Sequence, residues 1–440
     1  MPNRRKFLKT AAVTAAGLTI SAPMIGRNIL GANRRVNVAV FGTNGRGNEL
    51  TKVFASAKDS FVLGIGDVDI RAVEKAQKSV YEITKVRPSG NQDFRRFLDD
   101  RDVDAVVIAT PDHWHAPMAI MALEAGKHVY LEKPCSHNPQ EGEWLMAKQK
   151  KTGKLVQMGN QTRSSITLNK VVDEIHNGLI GEAYAAKAWY ANSRKSIGRQ
   201  EKTYRPEWLD WELWQGPAPH KAYHSGLAHY DWHWYWDYGT GELLNNGTHE
   251  IDMARWALGV DYPTRITSSG GRFHFNDGWE AFDTQNVGFD YAGKKTINWE
   301  GRSCNGFPFW GRGRGTLIHG TEGSVMMERE GFTVYDLGGK EIRQETEKGQ
   351  TAGIDTTGGG SLTDGHAANL IAAINSGTSL NADIHDANIS VTCCHLGNIA
   401  QRTTGAIDLD PTNGKPINNP AAMALWGREY EKGWTPKVQG

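Results

Sequence analysis

"VNVAVFGTNGRG" (residues 36–47) decides the fold. Its first six residues are a short apolar run that stops at Gly42, the pattern of a strand buried on both faces. The glycines behind it fit a tight turn that opens a helix. In a dinucleotide-binding turn the first glycine makes the bend and the second lets the backbone approach a pyrophosphate. The third lets helix and strand pack closely. Gly42 and Gly47 stand at the first and third places. Asn44 stands at the second, a departure, with Gly45 beside it to supply the space and Arg46 completing the candidate cofactor contacts. Asn also tolerates left-handed backbone geometry.

Four further apolar runs repeat the strand pattern, at 61–69, 103–111, 127–134 and 154–161. Helical patterns lie between them at Met118–Glu124 and Gln140–Lys150. Strands and helices alternating at this spacing predict βαβ units and a parallel sheet. Asp67 closes the second run, where a carboxylate accepts both ribose hydroxyls and repels a 2′-phosphate. NAD is therefore expected rather than NADP, with Arg71 nearby as the residue that weakens the preference.

After about residue 163 the rhythm changes. "EAYAAKAWYAN" (182–192) alternates like a half-buried strand, and 264–275, 284–301 and 315–330 read as antiparallel strands with turns. Helical patterns return at Glu250–Leu258, His366–Asn375 and Asp386–Thr403, and "TTGGGS" (356–361) reads as a loop. The expected fold is α/β. An N-terminal Rossmann parallel sheet (33–162) precedes an α+β substrate-binding domain (163–404) with an open, mostly antiparallel sheet, and a polar C-terminal tail covers 405–440.

Residues 1–32 resemble a twin-arginine export signal. Arg4 and Arg5 precede Phe7, Leu8 and Lys9, then a modest apolar run from Ala11 to Ile25 that is too short and too rich in Ala and Thr to span a bilayer. The expected location is thus periplasmic or exported, with the export machinery as a partner and no stable membrane anchor. Across 440 residues the net charge is +1, with 39% apolar and 22% charged residues, which gives no footprint for nucleic acid. Four cysteines, Cys135, Cys304, Cys393 and Cys394, make neither a disulfide framework nor a zinc spacing.

"YLEKP" (130–134) puts Glu132 and Lys133 at the carboxyl end of an apolar strand, where ligands bind in parallel sheets. Taken with "FGTNGRG", "DVD", "ATPDHWHAPMAIMALEAGKHVYLEKP" and "GNQ", it resembles the family of glucose–fructose oxidoreductase, inositol dehydrogenase and MocA-type proteins, over residues 35 to about 400. The resemblance implies that Lys133 sits near the nicotinamide and the reacting hydroxyl. An ammonium there polarises an alcohol oxygen and stabilises the charge that develops on it. It also implies that Glu132, Thr110, Pro111, His115 and Gln161 line the cofactor and that Arg163 meets the substrate. "HWH" (113–115) has metal-like spacing, but one histidine pair is not a site, and no metal is expected.

In "GTGELLNNGTHEID" (239–252), His249 and Gly247 match the family's histidine and glycine, while Asn245 stands where an aspartate is common. Asn cannot serve as a general base. His249 can, with an unperturbed pKa near working pH, or it caps the following helix. The Trp-rich stretch 204–238 suits a sugar, core filling or an oligomer interface, and His233, Tyr235 and Trp236 are its candidates for a pocket wall.

An exported protein finds no dependable NAD outside the cytoplasm. The export signal and the resemblance together imply a tightly bound NAD, carried out inside the folded protein and regenerated in one site. The expected enzyme acts on a small-molecule sugar or glycoside and forms a homo-oligomer through the C-terminal sheet. An ordinary sugar dehydrogenase, an NAD-dependent glycoside-cleaving enzyme and a non-catalytic sugar sensor are the alternatives. The family's glycosidases lack the lysine of "EKP", which ranks cleavage lower.

Overall fold

The computed structural model describes residues 35–329, 331–347 and 360–438. The export-signal candidate at 1–32 and most of the 356–361 loop lie outside the described residues.

The apolar runs become strands because their side chains are buried on both faces. Val38 and Val40 pack with Leu50, Phe54 and Ile65 on one side, and Ala39 and Phe41 with Phe97 and Met118 on the other. Six strands result: β1 (Val36–Phe41), β2 (Ser60–Gly66), β3 (Ser89–Asn91), β4 (Ala105–Ile108), β5 (His128–Leu131) and β6 (Val156–Met158). All pair in parallel, in the order β3-β2-β1-β4-β5-β6. The order reverses between β1 and β4, which opens a crevice at their carboxyl ends.

Helices α1 (Arg46–Ser56), α2 (Ile70–Thr84), α3 (Asp112–Glu124) and α4 (Pro139–Thr152) follow β1, β2, β4 and β5. Helix α3 starts at Asp112, before the predicted Met118, and carries Pro117 inside it. That proline has no N–H to give the His113 carbonyl. Arg428 of the C-terminal segment donates to this oxygen at 2.7 Å, so the helix runs through.

The second sheet has nine strands: β7 (Ala183–Ala191), β8 (Arg265–Gly271), β9 (Thr284–Tyr291), β10 (Lys295–Arg302), β11 (Arg314–Gly320), β12 (Ser324–Glu328), β13 (Gly331–Tyr335), β14 (Glu341–Thr346) and β15 (Ala406–Asp408). Their order is β14-β13-β12-β11-β7-β10-β9-β8-β15, antiparallel except for the central pair β7–β10. Helices α5 (Ile166–His176), α6 (Gly247–Leu258) and α8 (Ile384–Arg402) pack against it. Strand β9 shows why only one face is covered: Val287, Phe289 and Tyr291 turn inward while Asn286 and Asp290 are exposed.

Helix α7 (Ser361–Ser376) follows the second sheet in sequence but packs on the first, where Ala367, Leu370 and Ile371 join Val38 and Leu50. The C-terminal segment adds β15 to the second sheet, then returns to α4, where Gln140 N donates to the Trp426 carbonyl at 2.9 Å and Trp426 is buried. Among the described residues no helix is long and apolar enough to cross a membrane. All four cysteines are free, three of them buried.

Candidate active site

One cavity of about 900 Å³ runs from the carboxyl ends of the parallel strands to α6 and the ends of β7 and β11. Gly42 takes a φ of +77°, and a Cβ there would lie 2.6 Å from the Ala109 carbonyl oxygen. A Cβ on Gly47 would collide with the Gly42 carbonyl, so these two glycines pack the turn. Gly45 does the other task. It caps α1, and a Cβ on it would meet no protein atom within 4 Å. The N-terminus of α1 thus has room for an anion, which the helix dipole favours. Asn44 and Arg46 line the same end.

Asp67 lies beneath that turn, accepting from Thr43 N at 2.5 Å and from Asp69 N at 2.9 Å. Burial pushes its carboxyl up, against those two donors. Arg71 does not reach toward a ribose phosphate. It forks onto Asp69 at 2.7 and 3.0 Å and lies 3.3 Å over the ring of Trp208. The residues present fit a dinucleotide: an open helix N-terminus for the pyrophosphate and a buried carboxylate for the ribose. Thr110 and Gln161 line the cavity with Oγ1 and Oε1 unpartnered, and Pro111 stands beside them.

At the other end Lys133 follows β5. Its Nζ donates to the Asn245 carbonyl at 2.6 Å and to Asn245 Oδ1 at 3.1 Å. Burial lowers the Lys133 pKa from its ordinary 10.5, opposed by Glu132 and Asp112. Glu132 pairs with Arg46 at 2.7 Å. Burial alone would raise its carboxyl, but Arg46 and then Lys133 bring it below the usual value. Asn245, at the place of the family's aspartate, therefore holds the lysine.

His249, on α6, is buried, and its Nδ1 has no hydrogen-bond partner. Burial, then Arg329, Lys133 and Arg314, hold its pKa well below 6.5. These surroundings favour the neutral imidazole at working pH and make it a weaker base than a free histidine.

His233 lines the cavity, stacked on Trp232 at 3.6 Å, with burial bringing its pKa down to about 3. Three expected substrate residues do not line it. Arg163 is bound to Asp252 at 2.7 and 2.9 Å and to Asp386 at 3.0 Å, a half-buried cation consumed by its own acids. Trp236 lies under Arg402 at 4.7 Å and edge-on to Phe282, while Tyr235 packs against the cluster of Trp211, Trp214 and Trp232. Four of the six tryptophans of the stretch are buried, with Trp211 on Trp214 at 4.7 Å and Trp234 on Trp279 at 3.9 Å, while Trp214, His229, Tyr230 and Trp232 of the same stretch join His233 at the cavity wall.

The "HWH" histidines face backbone carbonyls: His113 Nε2 lies 2.9 Å from Trp214 O, and His115 lies 2.6 Å from Pro134 O and 2.8 Å from Thr110 O. Among the described residues no group of three or more metal-ligating side chains forms.

Sequence analysis missed Asp112, Tyr190, Arg194, Arg314 and Arg329, which also line the cavity. Arg194 pairs with Glu242 at 2.8 Å and Arg314 with Glu250 at 2.5 Å. A signal existed: both acids sit within 239–252, and carboxylates buried on a helix need cations.

Residues 36–160 match the NAD-binding Rossmann domain of an oxidoreductase family, and residues 183–305 match the C-terminal alpha/beta domain of the same family. Curated relatives include a glycosyl hydrolase family 109 protein from Saccharopolyspora erythraea, 27% identical over 246 residues that cover 51% of each chain. Another is an alpha-N-acetylgalactosaminidase from Shewanella oneidensis, 26% identical over 47% of this chain and 50% of that one. The chain spans about half the length of these relatives.

Among solved structures, an aldose-aldose oxidoreductase from Caulobacter crescentus complexed with glycerol superposes with a TM-score of 0.64 at 18% identity, covering 86% of this chain and 100% of that one. A levoglucosan dehydrogenase in complex with NADH and levoglucosan gives 0.65 at 20%, covering 85% and 99%. These two share the fold. Residues 36–160 and 183–305 thus match the two domains of one family in chain order, and the chain belongs to this family, the Gfo/Idh/MocA oxidoreductases.

Proposed function

We propose that the enzyme oxidises a ring hydroxyl of a sugar or glycoside, using a tightly held NAD that is recycled within the site. The observation that carries this is Lys133, a half-buried ammonium at the cavity, two of whose donors are spent on Asn245. An ammonium has three. The third is left for a substrate oxygen, where it stabilises negative charge as the hydroxyl is oxidised. The neutral His249 takes the hydroxyl proton on a ring nitrogen. Bound NAD supplies the acceptor for the hydride and the means to return it. Asn245 fixes Lys133, and Glu132 with Arg46 closes the wall between the two ends.

In the same proposal Arg4 and Arg5 send the folded protein out by the twin-arginine route with its cofactor inside. Protein purified without added NAD is expected to carry near-stoichiometric cofactor through dialysis, read by absorbance and mass. A stable cofactor-free protein that needs free NAD would contradict it. Arg4→Lys with Arg5→Lys is expected to leave the protein in the cytoplasmic fraction.

A second proposal, glycoside cleavage by oxidation, elimination and reduction, is favoured by the identity to the family 109 relatives. Release of the aglycone from an aryl glycoside without net change in NAD would select it.

A further inference from the structure

The adenosine end of the cavity is finished by the second domain. Ile70 N donates to the Trp208 carbonyl at 3.2 Å, Asp210 N donates to the Val68 carbonyl at 3.0 Å, and Asp69 and Leu209 form a single antiparallel bridge. A stretch from the Trp-rich segment is thereby sewn along the chain that follows β2. Two side chains close the seam. Trp208 covers the guanidinium of Arg71 at 3.3 Å, and His229 Nε2 meets Asp69 Oδ2 at 2.8 Å. Asp69 is 2% exposed and holds both Arg71 and His229. His229 and Asp67 line the cavity together.

We propose that Trp208 and His229 are specificity-determining residues for the cofactor: they lock Arg71 and Asp69 in place, so that the ribose end rejects a 2′-phosphate and the dinucleotide leaves slowly. A guanidinium one helical turn beyond the ribose carboxylate is the group that accommodates a 2′-phosphate in NADP-binding relatives of this turn. Here that cation exists but is spent. Its charge is answered by Asp69, and its face is covered by an indole that would have to be displaced. His229 shares Asp69 Oδ2 with Arg71 and brings a second-domain side chain to the cavity wall beside Asp67. The inference rests on a tightly held cofactor for the slow release. The selectivity stands on the dinucleotide site alone.

The test is binding of NADH and NADPH to the full chain stripped of cofactor, by nicotinamide fluorescence, together with the release rate after loading. Trp208→Leu keeps apolar bulk but uncovers Arg71. It is expected to raise NADPH affinity relative to NADH at least tenfold, and Trp208→Leu with Arg71→Ala is expected to lose that gain. His229→Gln is expected to speed NADH release at least tenfold. An unchanged NADPH-to-NADH ratio in Trp208→Leu overturns the selectivity, and an unchanged release rate in His229→Gln overturns the lock. If wild-type protein releases NADH within seconds, tight holding fails, and the ratio still decides the selectivity.

Discussion

At the dinucleotide end of the cavity, the turn and the ribose carboxylate come from one stretch of chain, Gly42 to Asp67. At the reaction end Lys133, Arg194, Asn245, His249 and Arg314 arrive from four separate parts of the sequence. The first end is shaped by backbone: missing Cβ atoms, an open helix N-terminus, a strand that stops at a carboxylate. The second is shaped by buried charge: Arg194 on Glu242, Arg314 on Glu250, Lys133 on a neutral amide. Backbone geometry tolerates no added atom, whereas a buried ion pair tolerates no missing partner.

Arg163 should show the second rule most strongly. Arg163→Met leaves Asp252 buried without its closest cation and is expected to cost about 3 kcal/mol of stability by denaturant unfolding. If Arg163 instead met substrate, stability would hold and KM would rise.

The two glycines test the first rule from both sides. Gly47→Ala must push the Gly42 carbonyl aside and is expected to destabilise the protein by about 1–3 kcal/mol whether or not cofactor is present. Gly45→Ala meets no protein atom and is expected to leave the melting temperature of cofactor-free protein near wild type while cofactor content falls. Equal loss of stability in both variants would erase the distinction between a packing glycine and a ligand-space glycine.

A smaller effect involves the whole molecule. Burial holds the pKa of His113, His233 and His395 at about 3 and that of His128 and His366 at about 4. In the unfolded chain they titrate near about 6.5. Above that pH both states are neutral and stability is level. As pH falls below it, the unfolded chain binds protons that the folded one refuses, and stability declines. Asp67 and Asp112, whose carboxyls are raised by burial, act in the opposite sense, but they are outnumbered. The melting temperature should therefore fall between about pH 6.5 and about pH 4. A level profile across that window would mean these imidazoles are reached by solvent.

The same contrast governs what the amino-acid sequence shows. The parallel sheet is legible because each buried strand must be apolar along its whole length, and Gly42, Gly47 and Asp67 are legible because their tasks are local. Strand β3 is not, since Ser89, Gly90 and Asn91 pair at an exposed edge with no apolar side chain to betray them. Strand β14 is hidden as well, since its single apolar side chain, Ile342, is exposed at the other sheet's edge. Lys133, Asn245 and His249 can be found by motif, and they meet in one place. Arg194 and Arg314 carry no local pattern, because only the pairing of β7 with β11 brings them to the same wall. Arg163, Tyr235 and Trp236 show the converse: functional residue types near a motif, consumed by packing.

The most direct measurement is a single turnover: protein with its own cofactor is mixed with a sugar, and the absorbance of reduced nicotinamide is followed against pH for wild type and Lys133→Ala. With His249 already neutral, the wild-type rate is expected to show no histidine-like rise near neutral pH. Lys133→Ala is expected to keep its cofactor and lose about 10²–10³-fold in rate, the scale of removing a preorganised donor from a developing oxyanion. A variant that keeps wild-type speed, or that loses speed only because it has lost the cofactor, would contradict the assignment of Lys133 to the reaction.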